Sequence, residues 1–317
     1  MIRFVHNEDV DRRKWDETVL KSQFPTVFAT FEILSLAVAP DRWHALVLDD
    51  YAAVMPLPTR RKFLFCYAFH PYFVPQLGIF SKIPCTESLV SSFLEHIPDS
   101  YVLEEFTLNA GNAFSHNGSR TITYYELPLE GNYEDLAEGF SNNTRRNIKD
   151  GEKHGLTLGN GTCNIGEIIT LFRNNRGRDS HVGFTDSDYA RLATIAHHLS
   201  DSGLCETWSV FTRDGRLAAG ALFVRDGGRL WFWFSGRDNR LSAGKPMFFL
   251  IDRFIRHHAN SGLTLDFNGS TNPDVARMYR GFGSAPYSLT ALNIYKNLFW
   301  KAAAKLNTLP KNKGRRR

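Results

Sequence analysis

Two periods of apolar and polar residues alternate along this chain, one of two residues and one near 3.6, so strands and helices follow one another throughout. IRFVHN reads as a strand and VDRRKWDETVLKS as a helix, and TVFATFEILSLAVA carries apolar residues at helical spacing. WHALVLDD and YAAVMPLPT predict a hairpin whose turn is marked by Asp49 and Asp50. RKFLFCYAFH predicts one aromatic strand running into PYFVPQLGIF, a loop broken by proline and glycine. ESLVSSFLEHI then returns to helix and YVLEEFTLN to strand.

The second half repeats the order. LTLGNGT is a strand, and NIGEIITLFRNN and SDYARLATIAHHLSD are helices, the second with an Asp-rich start suited to capping. ETWSVFTRDGRLAAGALFVRDGGRLWFWFSG holds three strand runs joined by the turns Asp214–Gly215 and Asp226–Gly227. KPMFFLIDRFIRHHANSG is a helix closing on Gly262, LTLDFNGS a strand, NPDVARMYRGFG a short helix and SLTALNIYK a last strand. The halves overlay: Ala52 to Gly78 and Ala218 to Gly244 are both 26 residues apart, with a hairpin between. Each glycine leads to a helix and then to a strand, which sets Glu105–Phe106 against Asp266–Phe267. Such spacing is that of a duplicated supersecondary unit. The expectation is a mixed α/β fold in two tandem domains, 1–140 and 141–317, joined across the polar, helix-capping segment from Leu127 to Gly155.

Composition narrows the class without changing this picture. Of 317 residues 43% are hydrophobic and 22% charged, which excludes disordered, collagen-like and coiled-coil chains. The formal charge is +5, but Lys311, Lys313, Arg315, Arg316 and Arg317 supply all of it, so the body is neutral. No apolar run reaches the ~18 residues of a membrane span, and the start of the chain lacks the apolar core of a signal peptide, so a cytoplasmic protein is expected. Cys66, Cys85, Cys163 and Cys205 form no CxxC pair and have no His-Asp setting near them, which argues against zinc and against a cysteine nucleophile. His197–His198 and His257–His258 point to different helix faces without carboxylate partners, so no metal is expected. Trp231, Phe232, Trp233 and Phe234 sit in a predicted central strand and read as core, not as a base-stacking platform.

The loop after WFWFSG ends at Gly244, and a helix begins at Pro246. Unpaired N–H groups and the helix dipole at such a start suit a phosphate or diphosphate. Gly244 permits close approach, and Arg240 and Lys245 add charge. The loop is neither a Walker loop, since Lys245 is followed by proline, nor a GxGxxG fingerprint.

SGRDNRLSAGKP, with the helix DVARMYRGFG carrying Tyr279 and Gly283, resembles the pyrophosphate loop and Tyr-x-x-x-Gly element of the GNAT superfamily of N-acyltransferases. The paired halves, FSNNTRRNIKDGEKHGL, and LDFNGS followed by FGSAPY are similar to the Fem-type branch, which has two GNAT-like domains in tandem. The resemblance implies, in each domain, a mostly antiparallel central sheet flanked by helices. Only half of the superfamily's loop pattern is kept, since Arg240 is followed at that spacing by Ala243 and then Gly244. The long helical arm of some Fem-type peptidoglycan enzymes is absent.

What the resemblance implies is an acyl-CoA donor, acetyl-CoA or longer, held by Phe234, Ser235, Arg240, Ala243, Gly244 and Lys245, and no metal. Backbone N–H groups near Phe234 and Ser235 would serve the oxyanion. Tyr279 would be the acid for the leaving thiolate, and Asp266 would hold or deprotonate the amine. Asn268 and Ser270 are substrate-orienting candidates, and Arg145 and Arg146 candidate carboxylate or anion ligands. In the first half HPYFVPQLGIF has no basic residue after His70. That copy is expected to have lost donor binding and to line an acceptor cleft between the domains with Tyr72, Phe73 and Gln76. The acceptor would be a small-molecule amine or a cell-wall-precursor-like amine. Two readings stand beside this one: a Fem-type aminoacyl transferase using aminoacyl-tRNA, and a degenerate binding protein.

Overall fold

The computed structural model describes residues 1–295 apart from 63–64, 113, 115–118, 161–163, 180–181 and 271. The basic tail and Cys163 lie outside the described residues. The chain divides into two compact units. One comprises Met1–Phe24, Ala29–Thr121 and the chain from Thr290 onward, the other Pro25–Phe28 and Ile122–Leu289.

The first unit holds β1 (Ile2–His6), α1 (Arg12–Leu20), α2 (Phe31–Val38), β2 (Trp43–Leu48), β3 (Ala53–Lys62), β4 (Phe65–Phe69), β5 (Phe80–Ser81), α3 (Glu87–Glu95) and β6 (Tyr101–Thr107). β1, β2, β3 and β4 pair antiparallel in sequence order, and β4 pairs parallel with β6. The core gathers where α1 and α2 cover the sheet. Trp15 and Trp43 are fully buried with ring centroids 5.1 Å apart, and the Trp15 indole donates to the Ala29 carbonyl at 2.9 Å. The aromatic run read as one strand is divided: Arg61 and Lys62 end β3, and β4 starts at Phe65. No Gly, Pro or Asp marks that turn, so periodicity alone joined the two.

The second unit is built on β7 (Arg120–Pro128), α4 (Tyr133–Glu138), α5 (Asn142–Lys153), β8 (Thr157–Asn160), α6 (Ile165–Asn174), α7 (Asp186–Asp201), β9 (Cys205–Phe211), β10 (Leu217–Asp226), β11 (Arg229–Arg237), α8 (Pro246–His258), β12 (Thr264–Gly269), α9 (Pro273–Gly281) and the start of β13 (Ala285–Tyr295). β8, β9, β10 and β11 pair antiparallel, and β11 pairs parallel with β12. Apart from the two-residue β5, which pairs with β3, this is the topology of the first unit, with a helix pair after the first strand in each. Capping boxes open α6 (Asn164 with Glu167) and α7 (Thr185 with Asp188). The core is aromatic: the rings of Phe223 and Phe254 stack at 3.5 Å, and Trp208, Phe267 and Phe282 are fully buried. α6 lies on β11 because Gly236 leaves room for it. A Cβ there would come within 2.6 Å of both the Ile168 carbonyl oxygen and the Phe172 nitrogen.

The division falls at Thr121/Ile122 instead of 140/141, and the reason is where each repeat's closing strand goes. β7, which follows the first repeat, pairs antiparallel with β12 in the second unit. β13, which follows the second repeat, pairs antiparallel with β6 in the first unit from Ala291 onward. The sequence reading passed over TITYYELP, although its β-branched and aromatic residues are those of a strand.

Candidate functional site

β11 and β12 keep register only from Arg229↔Thr264 to Trp231↔Asp266. Beyond that pair β11 runs on to Arg237 against β10, while β12 bulges between Asp266 and Gly269. Asn268 stands at the bulge with φ +61°, and its amide donates to the Phe232 carbonyl at 3.0 Å, spanning the opening. Phe234 and Ser235 lie on the stretch of β11 beyond the last β12 pair, with Phe234 packed on Phe172 at 4.7 Å.

Tyr279, on α9, faces both sides of this split. Its ring stacks on Phe267 of β12 at 4.8 Å and meets Phe232 of β11 edge-on at 6.1 Å. The side chain is 8% exposed, so the ring is a core member, yet the hydroxyl has no hydrogen-bond partner among the described residues. Burial pushes the phenol above its ordinary range, and the Arg176 guanidinium pulls weakly the other way. The group therefore keeps its proton at neutral pH. Gly283 (φ +78°) closes the turn behind α9, and the Gly281 carbonyl accepts from the Ser141 N–H at 2.8 Å.

Asp266 is occupied. It is fully buried, and its oxygens accept from Arg229 at 2.8 Å, the Tyr287 hydroxyl at 2.6 Å and the Asn268 N–H at 2.9 Å. Burial raises its carboxyl to about 6, against the pull of those donors, so at neutral pH it is the anion in an ion pair. Burial opposes the Arg229 charge too, but Asp266, Tyr287 and Glu126, the last at 2.8 Å, together hold it above its ordinary value. The Asp266 oxygens are thus taken up by Arg229, Tyr287 and the backbone at the origin of the split. Arg229, Glu126 and Tyr287 escaped the sequence reading because they stand 37, 140 and 21 residues from Asp266 and form no motif.

In the loop before α8, Gly244 (φ +74°) and Lys245 (φ +50°) are successive left-handed residues ahead of Pro246. Gly244 is buried under α5, where a Cβ would lie 3.1 Å from His154 Cβ and from Leu156 Cδ1. Ala243 and Lys245 are exposed. Arg240 departs from expectation, since its guanidinium turns back onto Asp238 at 2.7 and 3.0 Å and holds that carboxyl below its ordinary range. Lys245 lies instead beside Arg146, in a cleft of about 440 Å³ on α5. Arg145 does not share that cleft. It donates to the Ala137 carbonyl at 3.2 Å and the Glu138 carbonyl at 2.6 Å, closing the C-terminus of α4. Ser270 accepts from the Asn272 N–H at 3.2 Å, ahead of α9, whose first turn Asn272 caps.

In the first unit the equivalent loop is filled by the chain itself. Gln76, a candidate substrate contact, is 2% exposed and accepts from the Ala110 N–H at 3.0 Å. Asn112 accepts from the Ile79 N–H at 2.7 Å and donates to the Ile79 carbonyl at 2.9 Å, just where a Cβ on Gly78 would fall. His70 is half-buried, with Nε2 2.6 Å from the Val74 carbonyl, and desolvation lowers its pKa to about 4. Tyr72 is exposed, and Phe73 takes a left-handed φ of +67°. Among the described residues no His, Cys, Asp and Glu group is arranged to hold a metal, and no helix is long and apolar enough to cross a membrane.

Residues 139–279 match the family model of an acetyltransferase (GNAT) domain. The whole chain is similar to the crystal structure of FemX, with TM-score 0.63, 12% identity, and coverage of 94% of this chain and 99% of that one. L-PGS from Bacillus licheniformis is similar at TM-score 0.54 and 10% identity, over 96% of this chain and 98% of that one. So is the C-terminal DUF2156 domain of an Agrobacterium fabrum protein designated a lysylphosphatidylglycerol synthetase, at TM-score 0.51 and 13% identity, over 95% and 96%. No curated protein matches the chain. The chain therefore has a Fem-like fold, and its residues 139–279 match an acetyltransferase (GNAT) domain.

Proposed function

We propose that the protein moves an acyl group from a CoA-type thioester to an amine, with the donor's acyl end in the β11–β12 split. The carrying observation is that Tyr279, its hydroxyl without a partner among the described residues, lies against Phe232 and Phe267, the residues that follow the last paired positions of the two strands. A neutral amine attacks the thioester carbonyl, and the C–N bond forms as the carbonyl π pair moves onto oxygen. Backbone N–H groups of β11 near Phe234 and Ser235 hold that oxyanion. The C–S bond then breaks, Tyr279 protonates the departing thiolate, and the proton lost by the amine re-forms the phenol through solvent. Asp266 positions β12 in this reading and touches neither reactant. The second unit serves the donor. The first, whose loop is closed by Gln76 and Asn112, has no such role.

The nearest rival is aminoacyl transfer from tRNA to a cell-wall or lipid acceptor, favoured by the likeness to FemX and to the domain designated a lysylphosphatidylglycerol synthetase. In it the same Tyr279 protonates a ribose oxygen instead of a thiolate. Acyl transfer to a panel of amines, followed from acetyl-CoA, longer acyl-CoAs and an aminoacylated RNA minihelix, separates the two. Tyr279→Phe is expected to lower turnover at least tenfold with little change in donor KM. Unchanged kinetics in that variant would remove Tyr279 from the mechanism, and silence with every donor would leave a binding protein.

A further inference from the structure

The α5 cleft beside Lys245 is lined by Arg146, Asn147, Lys149, Asp150, Lys153 and Lys245, four cations against one carboxylate. Arg146, Lys149 and Lys153 are spaced three and four residues apart, so they share one face of α5. Lys149, Lys153 and Lys245 are in no ion pair among the described residues, and Asp150 is engaged by His154 at 3.3 Å. The opposite side of the same helix pair is different: Arg253 is neutralised by Glu152 and Asp252, each at 2.6 Å. Arg256 of α8 likewise lies 3.7 Å from Glu134, so among the described residues the lysines at the cleft differ from both of these α8 arginines in having no carboxylate partner.

Glycine brings the cations together. A Cβ on Gly151 would lie 3.0 Å from the Gly244 carbonyl oxygen and 2.9 Å from Phe249 Cδ2, so only glycine lets α5 press against the entrance of α8. That contact sets the lysines of α5 beside Lys245 and the positive end of the α8 dipole. Like charges within a Debye length of one another repel, and the repulsion is relieved when a polyanion enters the space they share.

We propose that Arg146, Lys149 and Lys153 of α5, together with Lys245, bind the phosphate-bearing nucleotide end of the donor, a task that falls to α5 because Arg240 is spent on Asp238. The inference rests on the donor reading above and deepens it. The ligand chemistry is a nucleotide end with clustered phosphates. Its two sources are the bisphosphorylated end of a CoA-type donor and the 3′ end of an RNA.

Calorimetric titration of the full chain with CoA, adenosine 3′,5′-bisphosphate, adenosine and an unacylated RNA minihelix, at low and at moderate salt, tests the site. The variants are the pair Lys149→Ala/Lys153→Ala and the pair Lys149→Arg/Lys153→Arg. Both positions are exposed, and circular dichroism checks that each variant is folded. Wild type is expected to bind the bisphosphate or the minihelix, more weakly as salt rises, and adenosine not measurably. The alanine pair is expected to lose at least tenfold in affinity and part of the salt dependence, and the arginine pair to recover both. Loss confined to CoA and the bisphosphate identifies the small donor, and loss confined to the minihelix identifies RNA; each upholds the site. Equal affinity in wild type and the alanine pair, or no binding of any phosphorylated probe by wild type, overturns it. Failure of the donor reading looks different: phosphate binding by wild type with no acyl transfer from any donor.

Discussion

Asp226 and Arg229 flank one Asp-Gly-Gly turn, the first buried and the second half-buried. Asp226 accepts from the Thr26 hydroxyl at 2.6 Å and the Val27 N–H at 2.9 Å, and burial still raises its carboxyl to about 6. A carboxyl whose pKa is higher folded than unfolded favours the fold fully below the unfolded value near 3.8, and that contribution is lost as pH rises through about 6. Asp226→Asn, which cannot ionise, should therefore gain stability relative to wild type between pH 4 and pH 7, by on the order of 2 kcal/mol. Denaturant melts of both proteins across that range check this, and a difference independent of pH would contradict it. Arg229 carries the converse risk. Arg229→Ala leaves Asp266 buried without its cation, and the expected loss, read from the same melts, is about 3–5 kcal/mol. Neither role could be read from the chain, because the partners of these residues lie far off in sequence: Thr26 is 200 residues from Asp226, and Glu126 is 103 from Arg229. The Tyr279-to-Gly283 spacing, by contrast, is a local pattern and stands in the sequence.

Between elements, glycine decides which surfaces meet. α6 rests on β11 through Gly236, and α5 on the entrance to α8 through Gly151 and Gly244. Gly236→Ala places a methyl against backbone atoms of α6 that cannot swing away, so a loss of about 3 kcal/mol or more is expected in thermal or denaturant unfolding. Wild-type stability in that variant would show that α6 is not seated as described. Most helices and strands were visible as periods in the sequence, and the Asp-Gly turns of the β9–β11 meander fall where expected. Two features were hidden. The β3–β4 turn carries no turn residue, and β7 lies in a stretch where no repeat or motif drew attention to its alternation. The donor loop was legible as a loop but not in its electrostatics, because Asp238, two residues away, takes the charge of Arg240.

For the molecule as a whole, the duplicated topology makes the exchanged closing strands decisive. A fragment of residues 141–317 keeps the whole second repeat but lacks β7, which leaves the antiparallel edge of β12 bare and Arg229 without Glu126. It should not unfold cooperatively, whereas a fragment beginning before β7, at residue 119, should do so more nearly. Equal cooperativity in the two would show that β7 is dispensable. The repeat itself was legible because equal spacing survives divergence. The exchange of strands was not, because pairing partners so far apart leave no local signal. The central claim, that the donor enters where β11 and β12 part, is tested most directly by amide chemical shifts on titration with acetyl-CoA and, in parallel, with an RNA minihelix. Perturbations concentrated on Phe232–Ser235 and Lys245–Phe248, with either ligand, are the predicted result. Binding that leaves those amides unmoved while shifting others would contradict it.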